Sequence, residues 1–354
     1  MEVMDEFVSA VMSRWPNAVL QFEDFSSDVA RTLLERYRRH HMVFNDDIQG
    51  TAATALAGMY GAMRVMGLPK ADLAKQRVVV CGTGSAGMGV IDMIAMGMQR
   101  HGLTRAEACA QFWVLDAGGL VTRRRSGLAP HVAEFAREEE EMDGMGLADV
   151  IRAVRPSALL GLTGAGRIWG PEVLSAMADA TEHPIVFPMS NPTSKMECTA
   201  EQAQEHTGGR AIFASGSPQA PVHVPGAGEV ASSQANNMFV FPGLALGAFL
   251  AKCTVSDGML MAAAGAVTDC LPESLVRRRG VYPDSNNIRM ISAHVALAVL
   301  KQARNEGLIR DWKVLRRLDG DSDDDDDSAL RWIHRSMYVP LYGPIVTLPP
   351  GINE

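Results

Sequence analysis

The amino-acid pattern predicts an α/β chain, a doubly wound parallel sheet flanked by mainly helical segments. Two observations carry this. Five short apolar runs recur between residues 78 and 214, and segments of helical period lie between them. Strands covered on both faces read as continuous apolar runs, and helical connections make them parallel. The 354 residues suffice for about two domains and a sizeable core.

In chain order, residues 5–67 read as mostly helical. Phe7, Val8, Val11 and Met12 fall on one face of a 3.6-residue period. Val19-Leu20-Gln21-Phe22 is the single short strand expected there. The sheet strands follow as Val78–Cys81, Phe112–Asp116, Ser157–Leu162, Pro184–Phe187 and Ala211–Ala214. Helices are expected at His131–Arg137, Leu147–Val154, Pro171–Ala180 and Thr199–His206. Residues 243–305, rich in Ala, Leu and Met, read as helical again, with Met259 and Met261 as core packing rather than ligands. The aspartates from Asp319 to Asp327 cannot bury themselves and read as a solvated loop.

Composition excludes several classes. Apolar residues make up 47%, with 33 Gly and 18 Pro, which is globular rather than disordered or collagen-like. The net charge of −8 resides almost wholly in the seven aspartates of that acidic tract, so the remaining body is near neutral. Nothing basic is left to hold a polyanion, and nucleic acid is not an expected partner. No apolar run approaches the ~20 residues of a bilayer span, so no membrane association is expected either. Cysteines at 81, 109, 198, 253 and 270 show no C-x-x-C spacing, which fits reduced thiols inside a cell. The acidic start resembles neither a secretory signal nor an Arg-rich transit peptide.

Gly82-Thr83-Gly84-Ser85-Ala86-Gly87 stands between the Val78 strand and a helix. The spacing lets the chain turn tightly at Gly82, brings a pyrophosphate close at Gly84 and packs helix on strand at Gly87. The phosphates would meet the N–H groups of Ser85, Ala86 and Gly87 at the helix start. This is the signature of a Rossmann-type dinucleotide site. Asp116 closes the next strand, where an acid binds the adenosine ribose. It lies further from Gly87 than the ~20 residues usual for the motif, which an insertion at 101–110 explains. Arg123-Arg124-Arg125 would instead attract a 2′-phosphate, so the cofactor is NAD or NADP, with the balance on NADP. Thr163, Gly164, Ala165 and Gly166 follow the third strand, beside the nicotinamide half.

Acids stand among large apolar side chains in Gln21-Phe22-Glu23-Asp24-Phe25 and Phe44-Asn45-Asp46-Asp47-Ile48. Such carboxylates are costly to bury unpaired. Converging, they would suit a hard divalent cation, Mg²⁺ or Mn²⁺. The alternatives are a helix N-cap for Asp47, and ion pairs to Arg36, Arg38 and Arg39 for Glu23 and Asp24. Ser190-Asn191-Pro192-Thr193 follows the fourth strand. Gln234-Ala235-Asn236-Asn237 precedes another apolar run, with turn and cap roles as alternatives to ligand contact.

These motifs, with Leu162 to Arg167, Phe213 to Pro218 and Phe241-Pro242-Gly243, resemble malic enzymes in the family's order along essentially the whole chain. The resemblance implies oxidative decarboxylation of L-malate to pyruvate and CO₂ with NAD(P)⁺ and Mg²⁺ or Mn²⁺. It implies Glu23, Asp24 and Asp47 as metal ligands, Asp46 beside the catalytic base, and Asn191 and Asn237 as substrate or nicotinamide contacts. It also implies a homo-oligomer, dimer or tetramer, in the cytoplasm or a mitochondrion. The family's tyrosine proton donor, lysine base and carboxylate-gripping arginine precede its Glu-Asp pair. Here 22 residues precede Glu23 without them, so the chain reads as truncated. The expected division is 1–46 from a substrate and metal domain, 47–236 for the cofactor domain, 237–308 as a helical return, and 309–354 as an extension. An alternative reading is an NAD(P)-binding paralogue or interacting subunit without full activity.

Overall fold

The computed structural model describes residues 2–319 and 323–340. The chain opens with α1 (Glu2–Arg14), β1 (Leu20–Phe22), α2 (Ser27–Tyr37) and β2 (Val43–Asn45). A five-residue π-helical turn at Asp46–Gly50 then leads into α3 (Thr51–Val65). The central part runs β3 (Val78–Cys81), α4 (Ser85–Arg100), α5 (Arg105–Cys109), β4 (Phe112–Asp116), β5 (Gly119–Leu120), α6 (Pro130–Ala133) and α7 (Leu147–Val154). It continues through β6 (Ala158–Gly161), α8 (Pro171–Ala180), β7 (Ile185–Pro188), α9 (Ala200–His206) and β8 (Ile212–Ser215). A hairpin of β9 (Val222–Val224) and β10 (Gly228–Val230) precedes β11 (Ser233–Gln234). The chain then turns helical, with α10 (Phe241–Ala251), α11 (Asp257–Asp269), α12 (Glu273–Arg277), α13 (Ile288–Asn305), α14 (Trp312–Arg317) and α15 (Asp323–Ser336).

Seven strands form one sheet in the order β11-β8-β7-β6-β3-β4-β5, parallel except for the β4–β5 pair. From β3 the chain first moves to β4 and later returns to the other side of β3 as β6. That reversal makes the ends of β3 and β6 the switch point where open α/β sheets bind ligands. The central strands β3, β6 and β7 are apolar throughout because both faces are covered. Val78, Val80, Val114, Leu160 and Phe187 point into a core shared with α3, α4, α10, α11 and α13. Val79, Trp113, Leu159, Val186 and Phe213, one residue out of step, pack against α7, α8 and α9. Met259 is buried in the first core and Met261 packs against it.

Glycines set the helix spacing. A Cβ on Gly247 of α10 would lie 2.5 Å from Val299 Cγ1 of α13, and one on Gly61 of α3 would lie 2.3 Å from the Val281 carbonyl.

Two expectations are corrected here. Residues 5–67 hold a second strand, β2, parallel to β1 with Phe22 opposite Asn45. The helical period had masked three residues that are all buried. The acidic tract is not a loop throughout, since Asp323–Asp327 open α15. Carboxylates at a helix start are favoured by the dipole, and Asp326 pairs with Lys301 at 2.6 Å. Residues 320–322 lie outside the described residues.

Candidate cofactor and metal site

The three glycines of the loop after β3 are not equivalent. Gly82 has φ +121, and a Cβ there would fall 2.5 Å from the Leu162 carbonyl. A Cβ on Gly87 would sit 2.8 Å from the Gly82 carbonyl. Both are required by the fold. Gly84 is not: its φ of −68 and ψ of 167 suit any residue, and a Cβ there meets nothing within 4 Å. As N-cap it offers α4 no side chain, so the first-turn N–H groups face the open space. Ser85 and Ala86 provide backbone positions of that turn, their side chains lying outside the described set. This cradle fits a dinucleotide pyrophosphate.

On the β4 side, Asp116 accepts two 2.7 Å hydrogen bonds from Arg125, whose guanidinium also reaches Asp143, the Gly118 carbonyl and the Leu120 carbonyl. Asp116 also accepts from the Gly118 N–H. Arg123 pairs with Glu138. Arg125 is thus committed within the protein, while Arg123 makes only an exposed ion pair.

On the β6 side, the N–H groups of Thr163, Gly164 and Ala165 all have internal acceptors, namely the Glu197 carboxylate, the Ser190 hydroxyl and the Thr163 hydroxyl. This segment borders the Gly82 turn without being a second phosphate loop. Asn191 is exposed at the end of β7, and its side chain makes no hydrogen bond among the described residues. Glu197, fully buried, was missed in the sequence. Its only signal is an acid between the apolar Met196 and Cys198.

The acids gather where the first strands meet α4. Asn45, not Asp47, caps the π-helical turn, accepting from the Ile48 N–H at 2.9 Å, while Gln49 accepts from the Asn45 N–H. Asp46 is 3% exposed. Burial raises its pKa to about 6, the Asn237 hydrogen bond opposes that rise, and the charges of Glu23 and Asp47 add to it. Asn237 Nδ2 lies 3.1 Å from both Asp46 Oδ2 and the Asp46 carbonyl, and 3.0 Å from Thr51 Oγ1. The donor expected to face substrate is thus turned to Asp46, and Asn237 offers a ligand only its carbonyl oxygen. Gly50 has to lack a Cβ, which would stand 2.0 Å from Asp46 Oδ1.

Asp47 Oδ2 accepts from the backbone N–H of Asp24 at 2.9 Å, with Asp24 at φ +60, and Glu23 accepts from Gln21. The expected arginine partners are elsewhere: Arg36 holds Asp5, and Arg38 holds Asp257. Among the described residues no three His, Cys, Asp or Glu side chains converge to hold a metal. Glu23, Asp24 and Asp47 are neighbours here rather than a closed ligand set. Their chemistry nonetheless fits a hard cation, since all three offer hard carboxylate oxygens. Ile48 packs on Gly89 of α4, so the acids and the phosphate cradle share one helix.

Comparison with known proteins places these features. The profile described as "Malic enzyme, NAD binding domain" matches residues 48–304, and "Malic enzyme, N-terminal domain" matches 1–38. The NAD-dependent malic enzyme 2, mitochondrial, of Arabidopsis thaliana is 41% identical over 350 residues, covering 98% of this chain and 58% of that protein. The NADP-dependent malic enzyme of Dictyostelium discoideum is 41% identical over 308 residues, covering 86% and 56%. The chain thus spans a little over half the length of these relatives. The crystal structure of Entamoeba histolytica malic enzyme shares the fold, with a TM-score of 0.70 at 21% identity over 95% of this chain and 63% of that one.

Proposed function

The chain belongs to the malic enzyme family, and from that premise we propose that it carries the cofactor- and metal-binding machinery for oxidative decarboxylation of L-malate to pyruvate and CO₂. The observation that carries this is the open Gly84 position at the start of α4, with the Asp46–Gly50 turn packed on the same helix. In this reading the amides of Ser85, Ala86 and Gly87 hold the pyrophosphate. Asp116 takes the adenosine side, and Thr163 to Gly166 with Asn191 border the nicotinamide. The nicotinamide of NAD(P)⁺ supplies the hydride acceptor. Glu23, Asp24 and Asp47 would hold Mg²⁺ or Mn²⁺, which supplies Lewis-acid polarisation of a hydroxy acid.

The chain's own residues do the positioning. Asn237 holds Asp46 by its carboxylate and main-chain oxygens, fixing the turn that presents Asp47. Asn191 offers an uncharged amide to a carboxylate or to the nicotinamide amide. Asp46, with its pKa raised, is suited to hold a proton beside the family's base. The names of several relatives, mitochondrial NAD-dependent malic enzymes, support an intracellular setting such as a mitochondrion. Exposed Val3, Phe7 and Trp15 near α1 support a homo-oligomer.

A second reading, nucleotide binding without turnover, is favoured by one observation. Among the described residues no lysine or tyrosine is hydrogen-bonded or ion-paired to Asp46. The assay is reduced-cofactor formation with L-malate and Mn²⁺, NAD⁺ and NADP⁺ tried separately. Turnover abolished by EDTA would support the first reading and name the cofactor. A folded chain that binds NADH and Mn²⁺ without turnover would establish the second reading, and one that binds neither would defeat both.

A further inference from the structure

Behind the ends of β6 and β7 lies a carboxylate that the function above does not use. Glu197 is completely buried. Its Oε1 accepts from the Ser190 hydroxyl at 2.5 Å, the Thr163 hydroxyl at 3.1 Å and the Thr163 N–H at 3.2 Å. Those hydroxyls in turn accept from the main chain: Ser190 Oγ from the Gly164 N–H at 2.9 Å, and Thr163 Oγ1 from the Ala165 N–H at 3.1 Å. One carboxylate therefore organises three consecutive amides of the β6 loop and the residue immediately before Asn191. Its other oxygen, Oε2, is buried with no partner among the described residues. Gly161 makes room for it, since a Cβ there would lie 2.4 Å from the Glu197 carboxyl carbon.

The arrangement is specific to one half of the binding edge. The loops Glu197 joins lie on the β6 and β7 side of the switch point, opposite Asp116 and the adenosine side. Among the described residues, Glu197 takes its hydrogen bonds from Ser190 and Thr163 and none from the start of α4. Charge-assisted hydrogen bonds are about twice as strong as neutral ones. A buried carboxylate with three donors therefore fixes loop geometry more firmly than an amide or hydroxyl would.

We propose that Glu197 is a positioning residue for the nicotinamide half of the cofactor: through Ser190 and Thr163 it sets the spacing between the Thr163–Gly166 loop and Asn191. This rests on the reading that a dinucleotide lies along this edge. Glu197 itself touches no ligand. It acts by holding two strands' loops in one register, so that the nicotinamide ring meets a preformed wall.

The test compares two probes, NADH and ADP-ribose, the second lacking the nicotinamide, by calorimetric titration of the full chain. Glu197→Ala should weaken NADH by about tenfold, the loss of one charge-assisted contact network, while leaving ADP-ribose unchanged. Glu197→Gln, which keeps an acceptor at Oε1, should recover most of the NADH affinity. If Glu197→Ala does not fold, Ser190→Ala removes only the bridging hydroxyl and should show the same selective loss, a few-fold in size. An equal loss for both probes would mark Glu197 as merely structural, and no loss for either would make it irrelevant; both overturn the proposal. A wild-type chain that binds neither probe would instead bring down the dinucleotide reading, and this proposal with it.

Discussion

At the residue scale, the most constrained group is Asp46. One carboxylate oxygen is buried without a partner and the other depends on Asn237 Nδ2. Asn237→Ala would leave both oxygens without a side-chain donor. A buried acceptor stripped of its partner costs about 1–3 kcal/mol, which should appear as a lower urea midpoint with an unchanged m-value. An unaltered midpoint would show that Asn237 does not hold the turn. The acids at 23, 24, 46 and 47 were legible as an anomaly, carboxylates set among Phe and Ile. The capping residue was not, because Asn45 and Asp47 both stand before an apolar run. Only the pairing of β2 with β1 decides which side chain turns back on the helix. The turn of the Asn237 donor toward Asp46 was not legible for a related reason: the two residues are 191 positions apart.

At the element scale, two contacts invite tests. Helix α1 is held by Asp5, which accepts from Arg36 at 2.7 Å and from the Tyr37 hydroxyl at 2.5 Å. The Tyr37 hydrogen bond, then that of Arg36, holds the Asp5 carboxyl below its ordinary value of 3.8. The folded pKa being depressed, this anchor is complete above pH 3.8 and is lost as pH falls through the lower folded value. At neutral pH, Asp5→Asn should speed amide hydrogen exchange in α1 and leave α4 unchanged. On α10, Gly247→Ala would press a methyl into Val299, and overpacking of that kind costs about 1–3 kcal/mol. A lower melting temperature is expected, and an unchanged one would mean that α10 can shift away from α13. The long buried strands could be read in advance, since four or more consecutive apolar residues have no other reading between Gly-rich turns. The two-residue strands β5 and β11 could not, because backbone pairing with a neighbour defines them and side-chain pattern does not.

At the scale of the whole molecule, the sheet order places the loops proposed to hold the cofactor at one edge, and the Asp46–Gly50 turn packs on α4 beside them. This much follows from a glycine motif between a strand and a helix. The internal commitment of the Thr163, Gly164 and Ala165 amides does not, because it depends on Glu197, 34 positions from Thr163. If the acids hold a cation, Mn²⁺ should raise the melting temperature, by about 2.7 kcal/mol of stability at roughly 100 times Kd. EDTA should reverse the gain and Asp47→Ala should abolish it. Equal stabilisation of the Asp47→Ala chain would place the metal elsewhere. The most direct test of the dinucleotide site is Gly84→Val, because nothing in the fold requires glycine at that position. NADH affinity measured beside thermal stability should fall at least about tenfold, while the stability loss stays near the roughly 1 kcal/mol that a poor N-cap costs and the chain remains folded. Undiminished NADH binding by the folded variant would contradict a pyrophosphate at the start of α4.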